Sequence, residues 1–311
     1  MAVFQFRAAI CLVVLFAQCS LLADPFRIAE YNVENYLDEP TPTRIVKPEA
    51  AKAKVRESIL ALHPDIIALE EIGGTNALLE LQAALKTAEL DLPYWEYVIG
   101  HDSESHLAVL SKFPFSARRP HTNESFLLAG RRFFVARGLA ELDVKVCDSF
   151  TFTMIAAHLK SQRTVPEADQ ADLRFEEAKI LRNIIEARLT ANPELNLVVL
   201  GDLNDRPDSE SIRIIIGGRG KKALIDTRPA ERNGDDPPHS DRRINSRKIA
   251  WTHYYAKDDS YSRLDYILLS HAMARFWDPA GTYILTLPNW GTASDHRPIV
   301  AAFDPEKGTT H

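Results

Sequence analysis

The run Leu197-Val-Val-Leu200 constrains the chain more than any other stretch. Four consecutive apolar residues, two of them β-branched, read as a buried strand. Gly201 ends the strand, and the polar segment Asp202-Leu-Asn204-Asp205 follows. Residues two apart on an extended segment point to the same side, so Asp202 and Asn204 share one face. A carboxylate and an amide thus stand at the mouth of a sheet, where catalytic groups are often carried on loops by a rigid scaffold. Strand ends rich in Asp and Asn are also ordinary turns. The stretch by itself leaves both readings open.

The rest of the chain supplies neighbours for that strand. Alternation over Phe26–Val33 and the run Asp65–Ile72 predict two further strands. Between them, Pro48–Leu62 places Val55, Ile59 and Leu62 on one helical face, with Pro48 near the start and His63-Pro64 as the stop. Thr75 or Asn76 can cap a helix running to about Glu89. Short strands are expected at 95–99, 106–111, 131–146 and 149–157, the last two joined by a turn at Cys147-Asp148. Ala168–Leu189 reads as the longest helix, with Ala171, Phe175, Ala178, Leu181, Ile185 and Leu189 as its apolar stripe. A short helix near Ser209–Ile216 follows, and strands return at 249–255, 264–269, 281–286 and 298–303. Residues 228–248 are polar and read as a long surface loop. With no repeat and no dividing linker, this pattern implies one α/β domain of mixed sheets with helices outside.

The 311 residues carry a formal net charge of −6, so the overall balance does not draw the protein to nucleic acid or anionic lipid. A polyanion-binding surface has to be local, or assisted by a bound cation. Residues 1–23 have the layout of a secretory signal peptide: Arg7, the apolar run Ala8–Ala17, then small or polar residues up to Ala23. The run is short for a membrane span, an uncleaved anchor being the alternative. Gln18 before Cys19 is a poor match to a lipoprotein signal. Cleavage removes Cys11 and Cys19 and leaves Cys147 alone, which excludes an internal disulfide from the exported protein. The expected arrangement is a domain over 24–305, a frayed tail over 306–311, and export to the periplasm or beyond the cell.

Polar clusters close several predicted strands: Asn32, the pair Glu70-Glu71, His158, Asp202 with Asn204, and Asp295-His296. Adjacent strand residues face opposite ways, so only one of Glu70 and Glu71 can face a site beside Asn32. Singly, each has an ordinary explanation: a satisfied turn for Asn32, a surface glutamate for Glu71, a core histidine for His158, a loop cap for Asp295-His296. Together they offer carboxylates, amides and two histidines at strand ends. That is the donor set of a hard divalent ion working on a phosphate. No His-x-x-x-His or paired-Cys spacing points to a zinc site.

In order along the chain stand Tyr31-Asn-Val33, Ile67–Ile72, Val109–Pro114, Ala157-His-Leu159, Gly201–Asn204, Arg263–Ile267 and Ser294–Pro298. This succession resembles the endonuclease/exonuclease/phosphatase superfamily, which includes deoxyribonucleases, abasic-site endonucleases, inositol polyphosphate phosphatases and neutral sphingomyelinases. The resemblance runs from about Arg27 to Phe303. It implies a four-layered α/β sandwich, with two mixed sheets face to face and helices outside. It also implies roles. Glu71 is the main ligand of Mg2+ (or Mn2+, with Ca2+ as an additional ion), Asn32 stands beside it, and Asp295 is on a second metal or a water. Asp202, helped by Asn204, orients or deprotonates the attacking water. Asp265 holds His296, and His296 with His158 binds the phosphate. Arg137 either reaches the phosphate or is a solvated strand arginine. The family commonly has Gln at the position of Glu70, taken as tolerable on the opposite strand face. Glu34 sits where some nucleases carry a metal-proximal acid.

The implied activity is a metal-dependent phosphodiesterase, foremost a nuclease of DNA or RNA, acting as a monomer with no stable protein partner. Local pairs such as Arg131-Arg132 and Lys221-Lys222 favour a nucleic-acid substrate, and the aromatic run around Trp251 and Trp290 can stack on bases. The alternatives are a phosphatase or a sphingomyelinase/phospholipase C-type hydrolase, the lipid option lowered because no loop reads as strongly apolar. A binding protein without catalysis is a third class.

Overall fold

The computed structural model describes residues 24–232 and 249–307. The expected signal peptide, most of the 228–248 loop and the end of the tail lie outside the described residues. The chain begins with β1 (Phe26–Tyr36), α1 (Glu49–Leu62), β2 (Ile66–Ile72), α2 (Thr75–Thr87), β3 (Tyr94–Val98) and β4 (His106–Ser111). Next come β5 (Phe115–Arg118), a hairpin of β6 (Ser125–Leu128) and β7 (Arg131–Phe134), then β8 (Leu139–Cys147) and β9 (Phe150–Ala157). The longest helix, α3 (Gln170–Ala191), leads to β10 (Leu197–Asp202), α4 (Glu210–Ile216) and β11 (Ile225–Asp226). A second hairpin, β12 (His253–Tyr255) and β13 (Ser260–Ser262), precedes β14 (Asp265–Leu269), β15 (Trp277–Ile284) and β16 (Ile299–Phe303).

One six-stranded sheet runs β15-β16-β1-β2-β4-β3 and the other β11-β14-β10-β9-β8-β5. Both are mixed, each built on a central parallel pair: β1 with β2, and β9 with β10. The strand that opened the sequence reading is buried on both faces, which is why its apolar run is continuous. Its residues alternate: Val198 and Leu200 face the other sheet, alongside Phe26, Ile28, Ile66 and Phe152, while Leu197 and Val199 meet α3 and α4. On the far side, Val55, Ile59, Leu78 and Leu81 of α1 and α2 pack on Ala29, Ile67 and Leu69 of the first sheet. Helices, sheet, sheet and helices make the expected four-layered sandwich. No helix among the described residues is long and apolar enough to cross a membrane.

Several local expectations differ. The strand expected over 131–146 is two, broken at residues 135–138, where Gly138 takes φ +69 and a Cβ would lie 2.9 Å from the carbonyl oxygen of His121. The buried Glu177 carboxylate accepts from Ala136 N at 3.0 Å and holds this turn from outside the sheet. α2 is capped by Gly74, not by Thr75 or Asn76. In α3 the buried stripe takes Leu173 in place of Ala171, and Asp169 caps the helix through Ala171 N at 2.7 Å. Of the strand expected over 249–255 only β12 forms, and this segment also bonds the 295–297 stretch: Arg297 N donates to Thr252 O (2.7 Å) and Tyr254 N to Asp295 O (2.9 Å).

The parallel strands of both sheets end at the same edge of the sandwich, and the close approach of β9 and β10 there depends on Gly201. Its φ is +134, and a Cβ would lie 1.9 Å from the carbonyl oxygen of Ala157. Gly201→Ala is therefore expected to destabilise the protein by about 2–4 kcal/mol. Denaturant titration tests this; a loss below about 1 kcal/mol would show that the strand ends can part freely.

Candidate active site

At that edge the Asp202 carboxylate is the hub. Its Oδ2 accepts from Asn32 Nδ2 and from Asn204 Nδ2, each at 3.1 Å, and its Oδ1 accepts from Asn204 N at 2.9 Å. Asn204 reaches this position in a left-handed conformation, φ +55, and its Nδ2 also donates to Leu159 O at 3.1 Å. His158 Nε2 and His296 Nε2 stand 3.6 Å and 3.7 Å from the same Asp202 oxygen. Behind His296, both Asp265 oxygens lie within 3.0 Å of Nδ1, fixing the ring and leaving Nε2 for the site. The first sheet thus contributes Asn32 and, through the segment before β16, His296; the second contributes His158, Asp202, Asn204 and Asp265.

Burial and neighbours set the protonation states. Burial pushes the Asp202 carboxyl up to about 7, against the opposing pull of the His296 charge. Burial works against a charge on His296, but Asp265 and Asp202 outweigh it and hold the imidazole well above its ordinary range. Burial and the nearby Arg137 and His296 charges hold His158 well below its ordinary range, so it is a neutral imidazole. The site therefore pairs a carboxylate that can take a proton near neutral pH with an adjacent cation.

The remaining expected residues sit around this hub. Asp295 is half exposed, 3.5 Å from His253 Nε2 and 4.0 Å from His296 Nε2. Arg137 is buried; its Nη1 donates to Leu159 O (3.2 Å), while Nε lies 3.2 Å from Asp102 and makes no hydrogen bond among the described residues. Glu71 is not among the hub contacts. Its carboxylate pairs with Arg44, at 3.5 Å.

The expectation about Glu70 and Glu71 needs correction. Strict alternation fails because β1 and β2 both bulge: Glu34, Asn35 and Glu71 have positive φ, and the pairing shifts between Asn32 and Tyr36. Glu70 does not lie on the opposite face. It is wholly buried between the sheets beside Glu30, and among the described residues the four carboxylate oxygens find no hydrogen-bond partner outside the pair. Burial raises both carboxyls well above the ordinary 4.5, with Asp202 and Asp265 adding to the rise. The bulge releases Glu71 toward Glu34, Lys47 and Arg44, where it makes no hydrogen bond of its own.

Two His/Asp groups bring ligand atoms within 4.8 Å of one another, Asp202–Asp265–His296 and His253–Asp295–His296, and either can coordinate a divalent metal. The sequence profile described as "Endonuclease/Exonuclease/phosphatase family" matches residues 29–296. The chain belongs to that family. With this fold and these ligand groups it is a metal-dependent phosphoesterase. Among solved structures it is similar to the human Nocturnin catalytic domain with bound sulfate (17% identity, 91% of this chain and 95% of that one, TM-score 0.63). Truncated Caenorhabditis elegans TDP2 gives 15%, 90%, 97% and 0.59, and sphingomyelinase C from Streptomyces griseocarneus 17%, 90%, 99% and 0.58. No curated protein matches the sequence.

Sequence reasoning missed three residues that position this family site. Ser294 Oγ donates to Asn32 O (2.7 Å) and accepts from His296 N (3.0 Å), tying the histidine loop to β1. A serine two residues before a turn residue is a readable local signal. Thr252 Oγ1 accepts from Leu264 N and Asp265 N at 3.0 and 3.2 Å, which nothing in the sequence marks. Glu177 Oε2 accepts from Lys160 N at 2.6 Å, yet on paper it is one more helix-surface glutamate.

The Glu30–Glu70 pair generates a sign-definite prediction. Folding raises both values, so above about 4.5 the folded state keeps protons that the unfolded chain releases, and stability falls as pH rises. Glu70→Gln is expected to raise the melting temperature at pH 8, by about 2–4 °C per kcal/mol recovered, with no gain at pH 4. Thermal melts across that range check it, and equal slopes in the two proteins would rule out a protonated buried pair.

Proposed function

We propose that this phosphoesterase is an exported, Mg2+-dependent nuclease that hydrolyses phosphodiester bonds of DNA or RNA as a monomer. The observation that carries the nucleic-acid reading is a cavity of about 410 Å3 lined by His101, Arg132, Phe134, Arg137 and Lys160. The His101 and Phe134 rings stack at 3.8 Å, giving an aromatic platform among three cationic side chains. Bases stack on such platforms and phosphates pair with such charges. Leu159 joins cavity to hub, since Arg137 and Asn204 both donate to its carbonyl. The export reading rests on the layout of residues 1–23.

The oxygen donors Glu71, Asn32 and Asp295, with Glu34 beside them, suit a hard cation: Glu71 is a partly buried carboxylate that no protein hydrogen bond engages. When bound there, Mg2+ (or Mn2+) polarises the phosphoryl oxygen and stabilises the leaving oxygen. Asp202, aligned by Asn32 and Asn204, orients a water in line with the phosphorus and takes its proton. His296, kept cationic and fixed by Asp265, faces the charge that grows on the phosphoryl oxygens. His158 contributes an N–H and not a charge, because burial keeps it neutral.

A lipid phosphoester is the second reading, and one observation favours it. The β6–β7 hairpin belongs to neither large sheet and carries Phe126, Leu127, Leu128, Phe133 and Phe134, with Leu127 65% exposed. The sequence had shown no strongly apolar loop because these residues were read partly as a long strand.

Asp202 acts as base only when ionised, so kcat/KM with saturating Mg2+ should rise through about pH 7 and fall at higher pH as His296 loses its proton. Asp202→Asn should remove the rising limb and lower kcat about 10^3-fold with unchanged melting; a flat profile or activity near wild type contradicts the assignment. Phe134→Ala should raise KM for an oligonucleotide by about tenfold, the worth of one stacked base, without affecting bis(p-nitrophenyl) phosphate. Hydrolysis of sphingomyelin vesicles but not of DNA or RNA would transfer the proposal to the lipid reading.

A further inference from the structure

We propose that His253, Asp295 and His296 form a site for a borderline-soft transition cation, Zn2+ in the first instance, whose occupancy stops hydrolysis by taking His296 from the substrate. The stopping effect rests on the phosphoesterase reading; the metal site does not. His253 belongs to none of the expected landmarks. It is placed by backbone pairing: β12 bridges the catalytic loop through His253 opposite His296, and Tyr254 N donates to Asp295 O at 2.9 Å. The imidazole is therefore stitched to the segment that carries the other two ligands.

The distances suit a small cation. Zn2+ holds nitrogen and oxygen ligands at about 2.0–2.1 Å in a tetrahedron, which puts neighbouring ligand atoms about 3.3–3.5 Å apart. Here His253 Nε2 is 3.5 Å from Asp295 Oδ2, His296 Nε2 is 4.0 Å from Asp295 Oδ1, and all the ligand atoms lie within 4.8 Å of one another. A modest contraction closes the set. Independently, Asp265 holds His296 through Nδ1, the carboxylate–histidine–metal relay that orients imidazole ligands in zinc sites. Asp295 and His253 are partly exposed, so the cation has an entry path and a fourth position for water.

Donor chemistry sorts the two metals. Two imidazole nitrogens and one carboxylate favour Zn2+, whereas the carboxylate of Glu71 and the amide oxygen of Asn32 favour Mg2+, and Asp295 is the donor the two cations share. Charge favours a dication too, because Asp202, Asp265 and Asp295 all lie within 4.0 Å of His296. Zn2+ on Nε2 displaces the proton that this nitrogen carries, which leaves to solvent, and occupies the position that faces Asp202 and the reacting phosphate, so zinc and catalysis exclude each other.

Calorimetric titration of Zn2+ into the chelator-stripped protein, with Mg2+ saturating, decides the matter. One site is expected in the wild type, unchanged in Glu71→Gln and weakened by more than about tenfold in both His253→Ala and His253→Gln. Circular dichroism of the two His253 variants shows that they fold. Affinity unchanged by either His253 substitution, or lost in Glu71→Gln instead, overturns the site. In parallel, Zn2+ at site-filling concentration should stop Mg2+-dependent bis(p-nitrophenyl) phosphate hydrolysis in the wild type and not in His253→Gln; binding without inhibition overturns the proposed effect on catalysis while calorimetry still reports the site.

Discussion

Asn32 reaches across from one sheet and donates to Asp202 of the other. Much of the site depends on that crossing. Stacked sheets normally stand about 10 Å apart, too far for short polar side chains to meet unless the strand ends converge. The layer between the sheets is graded to allow it. Away from the site Phe26 stacks between Phe152 and Phe303, with centroids 5.7 and 5.4 Å away. Toward the site edge the same faces carry Glu30, Glu70, Asn32, Asp202 and Asp265 in place of aromatic rings. The pair His296–Asp265 is a second crossing, and Ser294 locks its loop to the strand of the first.

Gathering acids at this edge has an electrostatic consequence. Burial raises the carboxyls of Glu30, Glu70 and Asp202, with neighbouring acids adding to the rise, and Asp265 with Asp202 holds the proton on His296. A base and a cation then coexist at 3.7 Å near neutral pH, which neither would do in water. The Glu30–Glu70 pair lies beneath these groups between the sheets, where burial favours its protonated form.

What the sequence made legible is what strand periodicity controls. Mixed sheets with helices outside and the double burial of Leu197–Leu200 follow from apolar periodicity, and His158 and Asp202 close β9 and β10 as expected. The four-layered sandwich and Asp265 came from the family resemblance, and Asn32 lies inside β1, which runs on to Tyr36. The Glu70–Glu71 reading failed because bulges in adjacent strands insert residues that alternation does not count. The break after β7 was hidden for a related reason: the apolar pattern runs on through Gly138, and the helix glutamate that holds the turn is remote in sequence. His253 had no local signal either, since its meaning comes from pairing with a loop more than forty residues on.

The elements outside the large sheets are where this chain's own character lies. On the proposed reading the strand ends supply the groups that attack a phosphate, and nothing in Asp202, Asn204 or His296 distinguishes one ester from another. The two small hairpins belong to neither large sheet. β6–β7 brings Phe134 and Arg132 to the cavity on the His158 side, and β12–β13 brings His253 to Asp295 and His296. Both are short two-stranded ladders outside the large sheets: β6 packs against α3, and β12 pairs with the 295–296 segment. On that reading the strand ends carry the chemistry, and the proposal assigns the choice of substrate and metal to the hairpins.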